Sequence, residues 1–320
     1  MSDFEARGRE WLSKGDAKVR GWGLFGNKYE EAADCYEKAA NQFKLSKSCT
    51  YSHFFHYITI NSKAKQALVD ISSHTSSIPL FFSQTHTGDS AGQTFIKLAN
   101  IHIKLESRHD AASSWVEAAK VYMKINQKEA VRCLQQAVSL YTEMGRLGMA
   151  ARQLREIAEV MEREGDDSRQ DAVIFYEQAA DLYQTENQTA EANKCLLKIA
   201  QFSAELEAYP RAIQIYEAVA KAAVDNNLLK YSAKNHLMCA GMCVMASGDI
   251  STTREAMEKY EDIDLSFHDS REAKLLGALT DAWEAGDVDE FTMAVAEYDS
   301  LTRLDGWKTT MLVSCCLYTI

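Results

Sequence analysis

Two prolines in 320 residues, Pro79 and Pro210, leave little to interrupt a helix. Proline in a helix interior costs roughly 3 kcal/mol relative to alanine, so this scarcity favours long helices. No stretch approaches the ~20 uncharged apolar residues of a membrane span. The opening MSDFEARGRE has no apolar signal core, which argues against a secretory route. None of the eight cysteines belongs to a paired CxxC set with zinc spacing. Cys239 and Cys243 stand one helical turn apart, and two ligands cannot close a tetrahedral site; buried free thiols in a reducing cytosol are expected. A phosphate loop, a dinucleotide fingerprint and a nucleophile elbow are all missing. His109 and Asp110 are adjacent, but they open a helix, where an acid favours the dipole. The chain is not read as an enzyme, and no cofactor or metal is expected.

Acidic residues outnumber basic ones, and the excess is concentrated. The net charge is −11, and residues 249–305, with 16 acids and 5 bases, match it alone. An acidic end argues against nucleic-acid binding, which needs basic surface. It suits a basic protein partner, or it is simply a solvated helical face. The first 28 residues, with 6 bases and 4 acids, are mildly basic and could sit near anionic lipid.

One 13-residue frame recurs five times. It reads EAADCYEKAANQF at 31–43, DAASSWVEAAKVY at 110–122, EAVRCLQQAVSLY at 129–141, DAVIFYEQAADLY at 171–183 and RAIQIYEAVAKAA at 211–223. Alanine holds the second position, an aromatic or leucine the sixth, and small residues the ninth or tenth. Positions 2, 6, 9 and 13 share one helical face. Small residues there admit a neighbouring helix, and the aromatic fills the space between turns. No such helix buries its stripe alone, whereas stacked helix pairs do. Further helices are expected near 91–105, 146–163, 189–207 and 228–247, and past the repeats near 251–262, 268–285, 287–300 and 303–314. The fold expected is all-α: a tetratricopeptide-like helical-hairpin solenoid over 1–248 and a C-terminal helical-bundle cap over 249–320.

One segment does not fit. The first two copies of the frame are 79 residues apart, and the excess falls on 48–90. That stretch has no Glu, Arg or Trp and holds His53, His56, His74 and His86, at spacings that match no metal motif. A disordered insertion that interrupts the helix running on from Lys47 is expected.

Residues 21–26 read GWGLFG, with Trp22, Leu24 and Phe25 between glycines and beside Arg20 and Lys28. Such aromatics suit a bilayer interface. They could equally tuck back onto the first repeat.

The strings GWGLFGNKYEEAADCYEKAANQFKLSKS, AGQTFIKLANIHIKLESRHDAA, EMGRLGMAAR and NNLLKYSAKNHL resemble the soluble NSF attachment proteins of the alpha/beta type, as do DSREAKLL and EYDSLTRLDGWKTTML. The resemblance covers about 1–47 and 91–312. It implies a non-catalytic adaptor on the cytosolic face of membranes. Such an adaptor coats the SNARE four-helix bundle (syntaxin-type and related) and recruits the hexameric ATPase N-ethylmaleimide-sensitive factor (NSF), which takes the bundle apart in vesicle transport. It also implies roles for residues. Arg146, Arg152, Lys194 and Lys234 match the family's SNARE-facing bases, although a lone base is otherwise a solvated helix residue. Trp22, Leu24 and Phe25 match its membrane-contact loop. Asp281 and Glu284 match its acidic ATPase contacts, where Ala285 departs from an expected acid. The family also continues past MLL into a basic helix and an acidic tail, where this chain reads VSCCLYTI. With the 48–90 segment, that departure leads us to expect SNARE binding with impaired disassembly. The alternative is a generic tetratricopeptide scaffold that clamps an extended peptide.

Overall fold

The computed structural model describes residues 3–21, 28–60, 78–165, 168–226, 229–248 and 250–317, without the side chains of 47–60, 78–87 and 317. Among these residues the chain forms fourteen helices and no strand. They are α1 (Asp3–Arg20), α2 (Lys28–Ile60), α3 (Ile78–Lys104), α4 (Arg108–Tyr122), α5 (Gln127–Glu143), α6 (Leu147–Glu164) and α7 (Arg169–Thr185). They continue as α8 (Thr189–Glu205), α9 (Tyr209–Val224), α10 (Lys230–Ala246), α11 (Ile250–Ile263), α12 (Arg271–Ala285), α13 (Val288–Leu301) and α14 (Gly306–Leu317). The chain divides into two compact units, Met1–Gly165 and Asp166–Ile320.

The repeat frame does what its spacing requires. In all five copies, positions 2, 6, 9 and 13 are buried, from Ala32, Tyr36, Ala39 and Phe43 to Ala212, Tyr216, Val219 and Ala223. Each aromatic lies in a stripe of alanines, so the neighbouring backbone comes close enough to cover the ring. Truncating one such ring to alanine costs about 3–5 kcal/mol in a typical core.

The turns between helices also repeat. Glu106, Gly145, Asn187 and Glu207 all have positive φ, between 57° and 68°. The amide after each donates to the carbonyl five residues back: Ser107 to His102, Arg146 to Tyr141, Gln188 to Tyr183 and Ala208 to Ser203, at 2.8–2.9 Å. This is a left-handed helix stop that satisfies an orphan carbonyl. Pro210, the second residue of α9, sits in the first turn, where its missing N–H does no harm.

In the first unit each helix packs on the next, α1 through α6. Asp16 of α1 gathers the first three helices. Tyr36 of α2 donates to it at 2.8 Å, and Lys97 of α3 contacts both its oxygens at 2.8 and 3.0 Å. Where the backbone of 48–90 is described, at 48–60 and 78–90, it is helical, so α2 runs on past Lys47 where an interruption was expected. The stretch 28–60 holds no proline, and Pro79 falls in the first turn of α3, where it is tolerated. Residues 61–77 lie outside the described residues, and so do Trp22, Leu24 and Phe25.

In the second unit α7 to α10 pack in order, and the helices past 249 pack on the last of them. From Leu237 to Ala246 every residue of α10 is buried. A helix apolar on all sides needs cover on all sides. α9 covers one side of α10, while α11, α12 and α14 pack on it as well. One core therefore runs from Ala200 through Tyr216, Met242 and Leu276 to Cys315. Tyr216 of the last repeat packs against Trp307 of α14, the rings 5.8 Å apart and tilted by 49°. The acidic helices cover α10 and share this core with the last repeat.

Candidate functional site

The candidate surfaces are helical faces that present charge. On α6, Arg146 is the residue that caps the helix N-terminus, and its side chain is exposed. Arg152 lies on the stripe Met149–Arg152–Glu156, with 67% of its side chain in solvent and Glu156 only at 3.9 Å. Met149 is also exposed, so this face offers an apolar contact beside its cation.

In the second unit, Lys194 of α8 is 65% exposed and pairs with Glu191 one turn earlier at 2.6 Å. Lys198 follows one turn on, with its ammonium 5.7 Å from the Phe202 ring centre. On α10, Lys234 is half-buried, and Lys230 stands one turn before it. Between them projects Tyr231, 79% exposed, with the Lys230 ammonium 5.4 Å from its ring centre. Tyrosine supplies large rigid area together with a polar tip, so Tyr231 adds aromatic surface beside these two cations. Reading the sequence for lone bases passed over Tyr231, although the string LLKYSAK already placed an aromatic between two lysines.

The two acids assigned to the ATPase, Asp281 and Glu284, lie one turn apart near the end of α12 and are exposed. Both accept from Arg254 of α11, Asp281 at 3.0 Å. Neither Asp281 nor Glu284 was read with a partner from sequence, since Arg254 is 27 and 30 residues away.

Among the described residues no three His, Cys, Asp or Glu side chains come together as a metal site. Six of the seven described cysteines are buried. Burial pushes the Cys239 thiol up to about 12 and the Cys243 thiol higher still, where neither serves as a nucleophile. A groove between α12 and α13, lined by Arg271, Lys274, Leu275 and Leu301, encloses about 120 Å³. Small-molecule sites are ordinarily ~300 Å³ or more. Among the described residues no helix is long and apolar enough to cross a membrane.

Comparison with known proteins identifies the relatives. The family model described as "Soluble NSF attachment protein, SNAP" matches residues 6–68 and 81–315. That match enters the 48–90 segment from both sides and leaves only 69–80 outside it. An alpha-soluble NSF attachment protein of Vitis vinifera is 41% identical over 313 residues, covering 98% of this chain and 94% of the relative. The alpha-soluble NSF attachment protein of Mus musculus is 38% identical over 319 residues, with coverage of 98% and 94%. A probable vesicular-fusion protein sec17 homolog of Schizosaccharomyces pombe is 36% identical over 307 residues, covering 94% and 92%.

Proposed function

The chain belongs to the soluble NSF attachment protein family, and we propose that it is the adaptor that joins assembled SNARE complexes to the ATPase NSF for their disassembly. The relation over nearly the whole chain carries this reading and favours it over a generic peptide clamp. Arg146 and Arg152 of the first unit, and Lys194 and Lys234 of the second, with Lys198 one turn from Lys194 and Tyr231 one turn from Lys234, meet the acidic surface of the SNARE four-helix bundle, syntaxin-type helices included. What supports this is that Arg152 and Lys194 keep about two-thirds of their side chains in solvent. Exposed charges of this kind steer association and give it a steep salt dependence. The acids of α12, Asp281 and Glu284, face the NSF hexamer. Trp22, Leu24 and Phe25 touch the bilayer, which holds the adaptor on the cytosolic face of the membrane. The adaptor contributes binding and orientation, and the ATPase supplies the work.

The experiment is binding of the purified full chain to a preassembled SNARE bundle across a salt series. Salt-sensitive binding is expected, and Arg152→Glu with Lys194→Glu should weaken it at least ten-fold, as reversal of two steering charges implies. Binding that ignores both reversals, or preference for an extended peptide over the bundle, would overturn the reading.

A further inference from the structure

The acid pair of α12 is not vacant. Arg254 of α11 reaches across to it, its Nη2 contacting Asp281 at 3.0 Å and Glu284 as well. All three side chains are about half exposed or more, so the cluster faces solvent and does not brace a core. The other cation of α11, Lys259, is committed elsewhere, at 2.6 Å from Glu217 of α9. The cations of α12, Arg271 and Lys274, lie two turns or more before Asp281, which at 1.5 Å per residue is ~10–15 Å along the axis. Among the described residues Arg254 is thus a cation that both carboxylates bind, and the triad carries a net charge of −1 where the acids alone would carry −2.

We infer that Arg254 acts as a resident competitor on this docking surface: it occupies the carboxylates through which a basic partner surface would bind, and that partner must displace it. The inference rests on the proposed role of Asp281 and Glu284 toward NSF and adds a mechanism of selectivity to it. A guanidinium spanning two carboxylates sets a threshold. A partner that offers one scattered lysine gains nothing by the exchange. A partner with several converging bases displaces Arg254 and still pairs both acids. The displaced side chain is long and already in water, so the exchange costs little desolvation. In a segment with 16 acids and 5 bases, such a threshold separates one specific basic surface from the many basic proteins that a bare acidic patch would attract.

The test measures binding of NSF to the immobilised full chain over a salt series, for the parent and three variants. Arg254→Gln should bind NSF about three- to five-fold more tightly at low salt, a gain set by the modest worth of exposed ion pairs, and with a steeper salt dependence. Arg254→Lys, which keeps the charge but not the guanidinium, should gain less. The double reversal Asp281→Lys with Glu284→Lys should bind more weakly than the parent. If the double reversal weakens binding while Arg254→Gln leaves it unchanged or weakens it too, the competitor role is wrong and the proposed role of the acids stands. If the double reversal changes nothing, the acids are not the ATPase contact, and both statements fall. Thermal unfolding of each variant checks that the fold is intact.

Discussion

Gly15 of α1 faces Tyr36 of α2 so closely that a Cβ added at Gly15 would lie 2.6 Å from the ring's Cε1. Seven residues earlier, Gly8 meets Phe43 in the same way, at 2.7 Å. The two pairs run in opposite directions along their helices, so α1 lies antiparallel on α2 with two rings seated against its backbone. Gly15→Ala should therefore destabilise the first unit by about 1–3 kcal/mol, because the overpacking cost exceeds the 0.5–1 kcal/mol that alanine gains in a helix. Urea unfolding followed by circular dichroism measures the difference. Unchanged or raised stability would mean that α1 does not sit at this distance.

Asp16 makes the same three-helix contact sensitive to acid. Partial burial would raise its carboxyl, but the hydrogen bonds from Lys97 and Tyr36 outweigh that and hold it below the usual carboxylate range. A carboxyl lowered by folding contributes stability above its unfolded value of about 3.9, and that contribution is lost as pH falls through the folded value. Asp16→Asn should cost about 1 kcal/mol at pH 7, and the gap to the parent should close as pH drops below about 4. Melting curves from pH 7 down to pH 2.5 test this. A gap that stays constant with pH would show that the Asp16 charge plays no part.

The recurring turn offers a gain. Glu207 stops α8 with φ of 59°, a conformation that glycine adopts freely and that costs a residue with a Cβ roughly 1 kcal/mol. At the corresponding place between α5 and α6 the chain already has Gly145. Glu207→Gly should stabilise the second unit by about 0.5–1 kcal/mol, less what the added freedom of the unfolded chain takes back. A lower midpoint in chemical denaturation would argue against the left-handed turn.

Much of this was legible before any coordinates. The five frames located helices whose second, sixth, ninth and thirteenth residues are buried without exception, because a fixed period leaves little choice of face. Short turns were legible through Gly145 and Pro210. The place where the second core ends was not. Leu237 to Ala246 reads simply as an apolar run, and what covers its outer sides, α11, α12 and α14, is a matter of tertiary contact. The candidate surfaces divide in the same way. Arg152 and Lys194 stood out as bases at matching positions. Their exposure, the projection of Tyr231 and the hold of Arg254 on Asp281 and Glu284 depend on how helices turn toward one another, which a linear pattern does not fix.

The thiols of α10 test that enclosed helix directly. Cys239 and Cys243 are both buried, and desolvation moves both well above an ordinary thiol, Cys239 to about 12. Only the thiolate alkylates, so at pH 8 a thiol at 12 presents about one reactive molecule in 10⁴, against about a quarter for a free thiol near 8.5. Burial adds the cost of opening the helix before reagent can enter. In the native full chain, a maleimide-type reagent should therefore label Cys239 and Cys243 at least 100-fold more slowly than in urea, as read by mass spectrometry of the peptides that carry them. Rapid native labelling of either residue would mean that α10 is open on the side assigned to α12 and α14. Protection that disappears in a Tyr216→Ala variant would instead tie the enclosure of α10 to the repeat's own aromatic, as a single shared core requires.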